Sequence, residues 1–425
     1  MPEAPTVAAE EPERLAAWLA RNAVDSLPEG ALAAKLVKAR EQDRPLRVKL
    51  GIDPTAPDIH LGHAVVLRKL AELQRAGHTV VLIIGDYTAR VGDPSGRSEL
   101  RPMLSPEQIE GNATTFQEQA LKILDADPQR LEVRRNGEWL DMPMADLLAL
   151  LRTTTAAQLL ERDDFAKRWS ANEPISLLEL LYPLLQAYDS VAVDADVELG
   201  GTDQKFNLLL GRDIQRAYGK SEQAILTMPL LVGVEGHRKM SKSLGNQIGV
   251  TDAPEEIYGK TMSIPDEAIG EYRRLLLDDP GEPHEPSPEG SPSASVEPTP
   301  LEPAPQGSSA RDAKRALARG LVRWLHSEQA AEAAERHFDR LFVERDAPEH
   351  IAEASFARDG AVHLPGLMAA EFGMSSSQAR RLIDEGGVRL GDAALGRGEY
   401  DVASDRADGQ VLKVGKRRFR RLRAA

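Results

Sequence analysis

Two histidines three residues apart, His60 and His63, end the segment Pro54-Thr-Ala-Pro-Asp-Ile-His-Leu-Gly-His63. The segment follows a predicted strand and leads into a predicted helix, so backbone N–H groups and the helix dipole would attract an anion there. The two imidazoles share one helical face, and Gly62 removes a side chain where a flat ring would approach the backbone. A structural role for such a histidine pair is the alternative when this motif is taken alone.

A second polar segment, Arg238-Lys-Met-Ser-Lys-Ser-Leu-Gly-Asn246, follows an apolar predicted strand. Its two lysines, Lys239 and Lys242, are three residues apart on a loop, and such a pair of cations can close on a polyphosphate. They would stabilise the negative charge that develops on a departing pyrophosphate. A solvated surface turn is the alternative interpretation of this segment taken alone.

Together the two motifs resemble the paired signature of class I aminoacyl-tRNA synthetases. The resemblance implies that an ionised amino-acid carboxylate attacks the α-phosphate of ATP, bound with Mg²⁺, and expels pyrophosphate. Positioning and charge stabilisation would then take the place of a general base. It implies catalytic roles for Thr55, His60, His63, Lys239 and Lys242, with Thr55 and His60 reaching the γ-phosphate, and it implies no zinc.

Three further segments resemble bacterial tyrosyl-tRNA synthetases of the subgroup with a full KMSKS motif: Gly92-Asp-Pro-Ser-Gly96, Tyr182-Pro-Leu-Leu-Gln-Ala-Tyr-Asp189 and Gly200-Gly-Thr-Asp-Gln204. The resemblance extends over residues 46–264. It implies a tyrosine site formed by Thr88, Asp93, Tyr182, Gln186 and Asp189. In that site Asp189 accepts a hydrogen bond from the substrate phenol, and Asp93, Tyr182 and Gln186 hold the ammonium group.

The spacing of Tyr182, Gln186 and Asp189, four residues and then three, places them on one helical face, so that one pocket can use all three. A polar helix face turned to solvent is the alternative. One departure concerns Lys49, which stands where many bacterial members have a tyrosine that also contacts the phenol. For the nucleotide, the resemblance implies contacts from Gly62, Gly201, Asp203, Gln204, Ser241, Arg97 and Arg101.

The C-terminal 51 residues carry twelve Lys and Arg against seven Asp and Glu, although the whole chain has a net charge of -14. A basic segment on an acidic chain is typical of contact with a polyanion in one place only. Dispersed arginines with few aromatic residues favour recognition of RNA shape and phosphates. The predicted tRNA-binding residues are Arg380, Arg381, Lys416, Arg417, Arg418 and Arg420. A solubilising basic tail is the alternative.

These residues need an α/β scaffold to position them. Residues 46–52 and 79–84 are predicted strands on either side of a helix at 58–76, with Asp58 as its N-cap, which is a βαβ unit. Residues 191–199 and 224–234 are predicted to continue a doubly wound, Rossmann-like parallel sheet, with a helix at about 203–217 between them. A helical insertion is predicted at about 105–185, and the resemblance implies that a homodimer forms through it.

Composition and helical patterns predict five segments: a helical lead-in at 1–45, an α/β domain at 46–277, a proline-rich linker at 278–309, a helical domain at 310–360 and a small α+β domain at 361–425. Such a proline-rich stretch buries too little apolar surface to order itself. The resemblance implies that 46–277 is the catalytic domain, that 310–360 binds tRNA and that 361–425 is an RNA-binding domain of the ribosomal-protein type.

The whole chain has 425 residues, 41% of them hydrophobic and 28% charged, which is typical of a multi-domain globular protein. The absence of cysteine excludes disulfides, thiolate zinc sites and a cysteine nucleophile. Residues 1–20 lack the basic start and apolar run of a secretion signal, and no apolar run is long enough to cross a membrane, so we expect a cytoplasmic protein. Two alternatives to a tyrosine enzyme stay open: the tryptophan enzyme with the same motifs, and a catalytically silent RNA-binding paralogue.

Overall fold

The computed structural model describes residues 12–55, 58–94, 104–277, 309–342, 351–358, 360–391, 393–415 and 418–424. The chain divides into two compact units, Met1–Glu328 and Gln329–Ala425. Of the proline-rich linker predicted at 278–309, only residue 309 lies within the described residues. No helix in the described ranges is both long enough and apolar enough to cross a lipid bilayer.

The first unit contains six strands: β1 (Asp25–Leu27), β2 (Arg47–Ile52), β3 (Thr79–Ile84), β4 (Leu131–Arg135), β5 (Val197–Gly201) and β6 (Ala224–Met228). Its helices are α1 (Pro12–Ala20), α2 (Ala31–Glu41), α3 (Leu61–Arg75), α4 (Thr88–Val91), α5 (Pro106–Ala120), α6 (Gly137–Leu140), α7 (Met144–Leu151), α8 (Ala156–Leu160), α9 (Asp163–Ser170), α10 (Leu177–Ala192), α11 (Lys205–Ala217), α12 (Pro254–Thr261), α13 (Ile269–Leu276) and α14 (Ala310–Leu325).

The six strands form one sheet in the order β1-β6-β5-β2-β3-β4. Strands β2 to β6 are parallel to one another, and β1 pairs with β6 in the antiparallel sense. The strand order reverses between β2 and β5, where one half of the sheet meets the other. This confirms the predicted doubly wound fold, in which ligands bind beyond the carboxyl ends of the strands at that reversal.

The predicted βαβ unit is confirmed as β2, α3 and β3. Every residue of β3 is buried, as expected of a central parallel strand covered on both faces. The predicted helix start is wrong: α3 begins at Leu61 with His60, not Asp58, as its N-cap. The His60 N–H donates to His63 Nδ1 at 3.3 Å, so the motif supplies its own cap.

The segment predicted as a mostly helical insertion at about 105–185 contains helices α5 to α9 and the start of α10, and it also contains strand β4, which pairs with β3. Strand β4 (LEVRR) lies at the edge of the sheet. Most of its residues are charged, so it lacks the apolar run that predicts a buried strand. Residues 191–192, predicted as strand, end helix α10, and β5 starts only at Val197. Residues 229–234, predicted as strand, lie beyond β6. The lead-in contributes an unpredicted strand, β1, to the sheet edge.

The described residues of the second unit form seven strands and four helices. The strands are β7 (Glu353–Phe356), β8 (Ala361–His363), β9 (Val388–Leu390), β10 (Ala393–Ala394), β11 (Asp401–Ala403), β12 (Val411–Val414) and β13 (Arg418–Ala424). The helices are α15 (Glu328–Phe342), α16 (Leu364–Phe372), α17 (Ser376–Asp384) and α18 (Ser404–Ala407).

Five of these strands form a sheet in the order β10-β9-β12-β13-β7, and β11 pairs with β8. Side chains from the sheet and from α16 and α17 share one apolar core. The predicted helix carrying Arg380 and Arg381, followed by a turn and a strand, is present as α17 and β9. Strand β7 precedes the boundary predicted at residue 361 and pairs with β13. The four boundaries between the five predicted segments stay predictions.

Candidate active site

The polar residues singled out from the sequence converge beyond the carboxyl ends of β2, β3 and β5. Asp53 follows β2, the segment 85–88 follows β3, and Asp203 and Gln204 follow β5. The reversal of strand order lies between β2 and β5, so this cleft is where a doubly wound sheet binds its ligands. Helix α10 adds Tyr182, Gln186 and Asp189 from one face.

Asp53 joins two of these elements through its carboxylate. Thr88 Oγ1 donates to Asp53 Oδ1 at 2.6 Å, and the Tyr182 hydroxyl donates to Asp53 Oδ2 at 2.9 Å. A Cβ on Gly85 would lie 2.1 Å from Asp53 Oδ1, so only glycine allows β3 to end this close to the carboxylate. The sequence interpretation missed Asp53, although an acidic residue directly after the first strand of such a sheet was a usable signal.

The Tyr182 phenol is a hydrogen-bond donor in this cleft. Burial, together with the nearby carboxylates of Asp53 and Asp93, raises the pKa of Tyr182 well above its ordinary value. The hydroxyl therefore keeps its proton at neutral pH and orients the Asp53 carboxylate.

Asp189 lies at the closed end of the cleft, with only 2% of its surface exposed. Trp139 Nε1 donates to Asp189 Oδ1 at 2.8 Å, and Asn136 Nδ2 lies 3.4 Å from Oδ2. Burial raises the pKa of Asp189 to about 7, against the opposing effects of Lys49 and of these two donors. Trp139 and Asn136 were missed by the sequence interpretation, since β4 and α6, which bring them here, were predicted only as part of a helical insertion.

A second carboxylate, Asp93, lies among amide and guanidinium groups. Gln204 Nε2 donates to Asp93 Oδ2 at 2.9 Å, and the buried Arg162 approaches Asp93 Oδ1 at 3.3 Å. Asn207 Nδ2 lies 2.9 Å from both Gln186 Oε1 and Gln204 Oε1. The structure thus brings Asp93, Gln186 and Gln204 together as one hydrogen-bonded group, and it adds Arg162 and Asn207, which no local sequence pattern indicated.

The two histidines of the first motif stack on each other, with ring centroids 3.9 Å apart. Burial, the neighbouring His63 and Lys239 lower the pKa of His60 to about 2, and burial and Lys239 lower the pKa of His63 to about 4. Both rings are therefore neutral at pH 7 and can hydrogen-bond to a phosphate without carrying charge. A Cβ on Gly62 would lie 3.0 Å from the His60 ring.

Both lysines of the second motif contact carboxylates at the mouth of the cleft. Lys239 Nζ lies 3.0 Å from Asp203 Oδ2, and Lys242 Nζ lies 2.5 Å from Asp58 Oδ2. The Ser241 N–H donates to Asn246 Oδ1 at 2.8 Å, which holds the loop in shape. The loop therefore connects the β5 side of the cleft, at Asp203, with the segment before α3, at Asp58.

Other predicted site residues are placed as follows. Thr55 lies two residues beyond Asp53, and its N–H donates to the Asp53 carbonyl oxygen at 2.7 Å. Gly201 ends β5. Arg97, Arg101, Lys416 and Arg417 lie outside the described residues.

In the second unit, Arg381 is exposed and pairs with Glu385 at 3.6 Å, and Arg380 lies 5.7 Å from the Tyr400 ring centroid. Arg418 begins β13 and is exposed.

Arg420 is engaged inside the second unit. Its Nε donates to the Glu371 carboxylate at 2.8 Å, and its guanidinium lies 5.0 Å from the Phe372 ring centroid. Within the described ranges, no group of three or more His, Asp or Glu residues could hold a metal ion.

Comparison with known proteins places these observations in a family. Residues 41–343 match the family described as tRNA synthetases class I (W and Y). The chain is 48% identical over 412 residues to the tyrosine–tRNA ligase of Thermotoga maritima, covering 97% of this chain and 98% of that protein. It is 47% identical over 406 residues to the tyrosine–tRNA ligase of Moorella thermoacetica, covering 95% and 94%.

Solved structures share the fold. The C-terminally truncated mitochondrial tyrosyl-tRNA synthetase of Aspergillus nidulans superposes with a TM-score of 0.59 at 21% identity, covering 79% of this chain and 94% of that one. The tyrosyl-tRNA synthetase of Archaeoglobus fulgidus, complexed with L-tyrosine, superposes with a TM-score of 0.55 at 24% identity, covering 77% and 99%.

Proposed function

The chain belongs to the class I tRNA synthetases of the tryptophan and tyrosine type, and from that premise we propose that it ligates L-tyrosine to tRNA(Tyr). It does so through tyrosyl adenylate and releases pyrophosphate and AMP. The observation that supports this most directly is the buried Asp189 carboxylate, which lies on the same face of α10 as Tyr182 and Gln186. Trp139 and Asn136 hold this carboxylate in place. Relatives at 47–48% identity over nearly the whole chain are tyrosine–tRNA ligases.

In the first step a carboxylate oxygen of tyrosine forms a bond to the α-phosphorus of ATP, and the bond from that phosphorus to the pyrophosphate oxygen breaks. The attacking carboxylate is already ionised, so the step needs no base. The leaving pyrophosphate gains negative charge, which Lys239 and Lys242 stabilise after exchanging their contacts with Asp203 and Asp58 for phosphate oxygens. The neutral imidazoles of the first motif hydrogen-bond to the phosphates.

In the second step a hydroxyl of the terminal ribose of tRNA attacks the tyrosyl carbonyl carbon. The bond from that carbon to the AMP oxygen breaks, the hydroxyl proton passes to a phosphate oxygen of the departing AMP, and AMP leaves. The role of the protein in both steps is to hold the reacting atoms in line and to exclude water.

Substrate choice follows from the chemistry of Asp189. The tyrosine phenol donates a hydrogen bond to this carboxylate, whereas phenylalanine would leave a buried acceptor without that donor. Tyrosine enzymes are the general example of this selectivity, since they favour tyrosine over phenylalanine by roughly 10⁵-fold. Asp93, Tyr182 and Gln186 bind the substrate ammonium, because a carboxylate and oriented oxygen acceptors suit a cation.

The nucleotide is proposed to lie between the first motif and the lysine loop, with Gly62, Gly201, Asp203, Gln204 and Ser241 beside it. Thr55 and His60 approach the γ-phosphate, and Arg97 and Arg101 are assigned to the pyrophosphate by resemblance alone. Magnesium is proposed to bind together with the phosphates of the nucleotide, which supply oxygen ligands of the kind it prefers.

tRNA is proposed to contact the second unit at Arg380, Arg381 and Arg418, with Lys416 and Arg417 as further predicted contacts. Arg420, which also donates to Glu371, stays a predicted contact. Such arginines bind phosphates and the shape of a folded RNA.

A homodimer is proposed to form through the helices between β4 and β5. Five large apolar side chains of the described residues are exposed on these helices: Met144, Leu148, Trp169, Leu177 and Leu178, with Trp169 at 65% and Leu177 at 80%. Exposed apolar surface is typical of protein interfaces where it forms one patch. A sedimentation measurement that gives a monomer at all concentrations would contradict the dimer. A cytoplasmic location stays a prediction.

The function is tested by ATP–pyrophosphate exchange with purified protein and Mg²⁺, adding tyrosine, tryptophan or phenylalanine. Exchange with tyrosine alone is expected. Exchange with tryptophan would keep the family and refute the proposed pocket, and exchange with none of the three, together with tRNA binding, would indicate the catalytically silent RNA-binding paralogue.

A further inference from the structure

A buried ion pair lies beneath the tyrosine pocket, between the two central strands. Lys49 on β2 and Glu198 on β5 are direct register partners. Lys49 Nζ lies 2.7 Å from Glu198 Oε1, and the two side chains are 0% and 1% exposed. Taking both charges out of water is costly, so a pair at this position needs a reason beyond stability.

The pair is bonded to helix α10 at the turn that carries Asp189. Lys49 Nζ donates to the Gln186 carbonyl oxygen at 2.9 Å and to Ser190 Oγ at 2.8 Å. Ser190 Oγ donates in turn to Glu198 Oε2 at 3.1 Å. An ammonium group has three N–H donors, so these contacts and the Glu198 contact use all of them.

This arrangement has two consequences for the pocket. The bonds to Gln186 and Ser190 flank Asp189 in the sequence, so they set the height and rotation of that helical turn above the sheet. The Lys49 ammonium is also a positive charge close to an otherwise buried carboxylate.

We propose that Lys49 and Glu198 are a positioning pair for tyrosine recognition, which holds the Asp189 turn of α10 in place and balances the charge of the Asp189 carboxylate. The inference rests on the proposed assignment of Asp189 to the substrate phenol. We expect neither member of the pair to touch the substrate, because Lys49 uses its three donors within the protein and Glu198 accepts from Lys49, Ser190 and Gln223. In agreement, Lys49 lowers the pKa of Asp189 whereas Glu198 raises it.

A purely structural ion pair is the rival explanation, and the chain offers a matched control for it. Lys69 and Glu72 on α3 form a second buried pair, with Nζ 2.5 Å from Oε2 and side chains 2% and 6% exposed. Both partners lie on α3, and their ion pairs in the described structure join them to each other and Glu72 to Arg21. Lys69→Met therefore removes a buried lysine of the same kind without touching the pocket.

The test compares Lys49→Met, the double variant Lys49→Met with Glu198→Gln, and Lys69→Met in tyrosine-dependent ATP–pyrophosphate exchange. The double variant leaves no unpaired buried charge, so it keeps the experiment informative where the single variant fails to fold. We expect the KM for tyrosine to rise by about tenfold or more in the double variant, with the KM for ATP within about twofold of the parent. Lys69→Met is expected to lower the thermal midpoint and leave both KM values unchanged.

A second readout separates charge balance from packing. In the double variant, the pH at which the KM for tyrosine begins to rise is expected to increase, because Asp189 loses the larger pKa-lowering effect of Lys49 together with the smaller, opposing effect of Glu198. The other groups that face Asp189 are unchanged: Tyr182 on its own helix, and the donors Asn136 and Trp139.

Three results would overturn the proposal. An unchanged KM for tyrosine in the folded double variant would make the pair structural only. An equal rise in Lys69→Met would make the effect one of general destabilisation. An unshifted pH dependence would remove the charge-balancing role. Failure of the proposed function is distinguishable, since the parent protein would then show no tyrosine-dependent exchange.

Discussion

Trp139 donates its indole N–H to the Asp189 carboxylate at 2.8 Å, across a pocket in which Asp189 is almost completely buried. The bond links α6, which follows the edge strand β4, to the face of α10. The Asp189 carboxylate can still accept a hydrogen bond from a further donor, because an ionised carboxylate offers about four lone-pair sites. The phenol hydroxyl of a tyrosine substrate can be that donor.

The KM for tyrosine is expected to rise as the pH falls below about 7. Burial raises the pKa of Asp189 to about 7, so below that pH the carboxyl is protonated and accepts the phenol less well. If only the ionised form binds, the KM rises about fivefold between pH 7 and pH 6. The measurement is exchange kinetics at several pH values.

Four neighbours shift the pKa of Asp189: Lys49 on β2, Glu198 on β5, and the two donors Trp139 and Asn136. The control is Asp189→Asn, which is expected to select poorly against phenylalanine and to lose the pH dependence in this range. A parent-like pH profile in Asp189→Asn would show that another group titrates. The motif histidines do not titrate there, since their pKa values of about 2 and about 4 lie lower.

Lys242→Ala is expected to slow adenylate formation by about 10² to 10³ with little change in tyrosine affinity, because the cation acts on charge that develops in the transition state. Single-turnover kinetics and equilibrium binding of tyrosine measure the two quantities. Lys220→Ala is the control: it also removes an exposed, ion-paired lysine, which contacts Asp194. Equal losses of rate and tyrosine affinity in Lys242→Ala would argue against a role specific to the transition state.

Gly85→Ala is expected to abolish tyrosine-dependent exchange and to cost about 1–3 kcal/mol of the free energy of unfolding. The added Cβ would lie 2.1 Å from Asp53 Oδ1 and 2.4 Å from Thr88 Oγ1, so it must break the Asp53 contacts. Gly51→Ala is the matched control, because a Cβ at that neighbouring strand position meets nothing within 4 Å. Similar activity in the two variants would show that the Asp53 contacts are dispensable.

Replacing Arg380 and Arg381 with alanine is expected to weaken tRNA binding and to leave adenylate formation unchanged. Each lost phosphate contact reduces the slope of log affinity against log salt by about 1. Filter binding of tRNA at several salt concentrations measures the slope, and Arg216→Ala, an exposed arginine of the first unit, is the control. A parent-like slope would indicate that these arginines only add solubility.

The sequence by itself determined the βαβ start of the sheet, the two nucleotide motifs and the face of α10. These are local properties: an unbroken apolar run such as TVVLII favours a buried parallel strand, and residues spaced by four and three must share a helical face. The helix start at Leu61 was misplaced because capping depends on which side chain reaches the backbone, and His60 is not among the usual capping residues.

Only the tertiary structure decided which residues meet. The Tyr182 hydroxyl and Asp53 are 129 residues apart in the chain, Lys49 and Ser190 are 141 apart, and Trp139 and Asp189 are 50 apart. These contacts depend on the strand order, on β4 entering the sheet and on α10 crossing the reversal between β2 and β5. No local pattern carries that information, because strand order is set by the packing of the whole sheet rather than by any one strand.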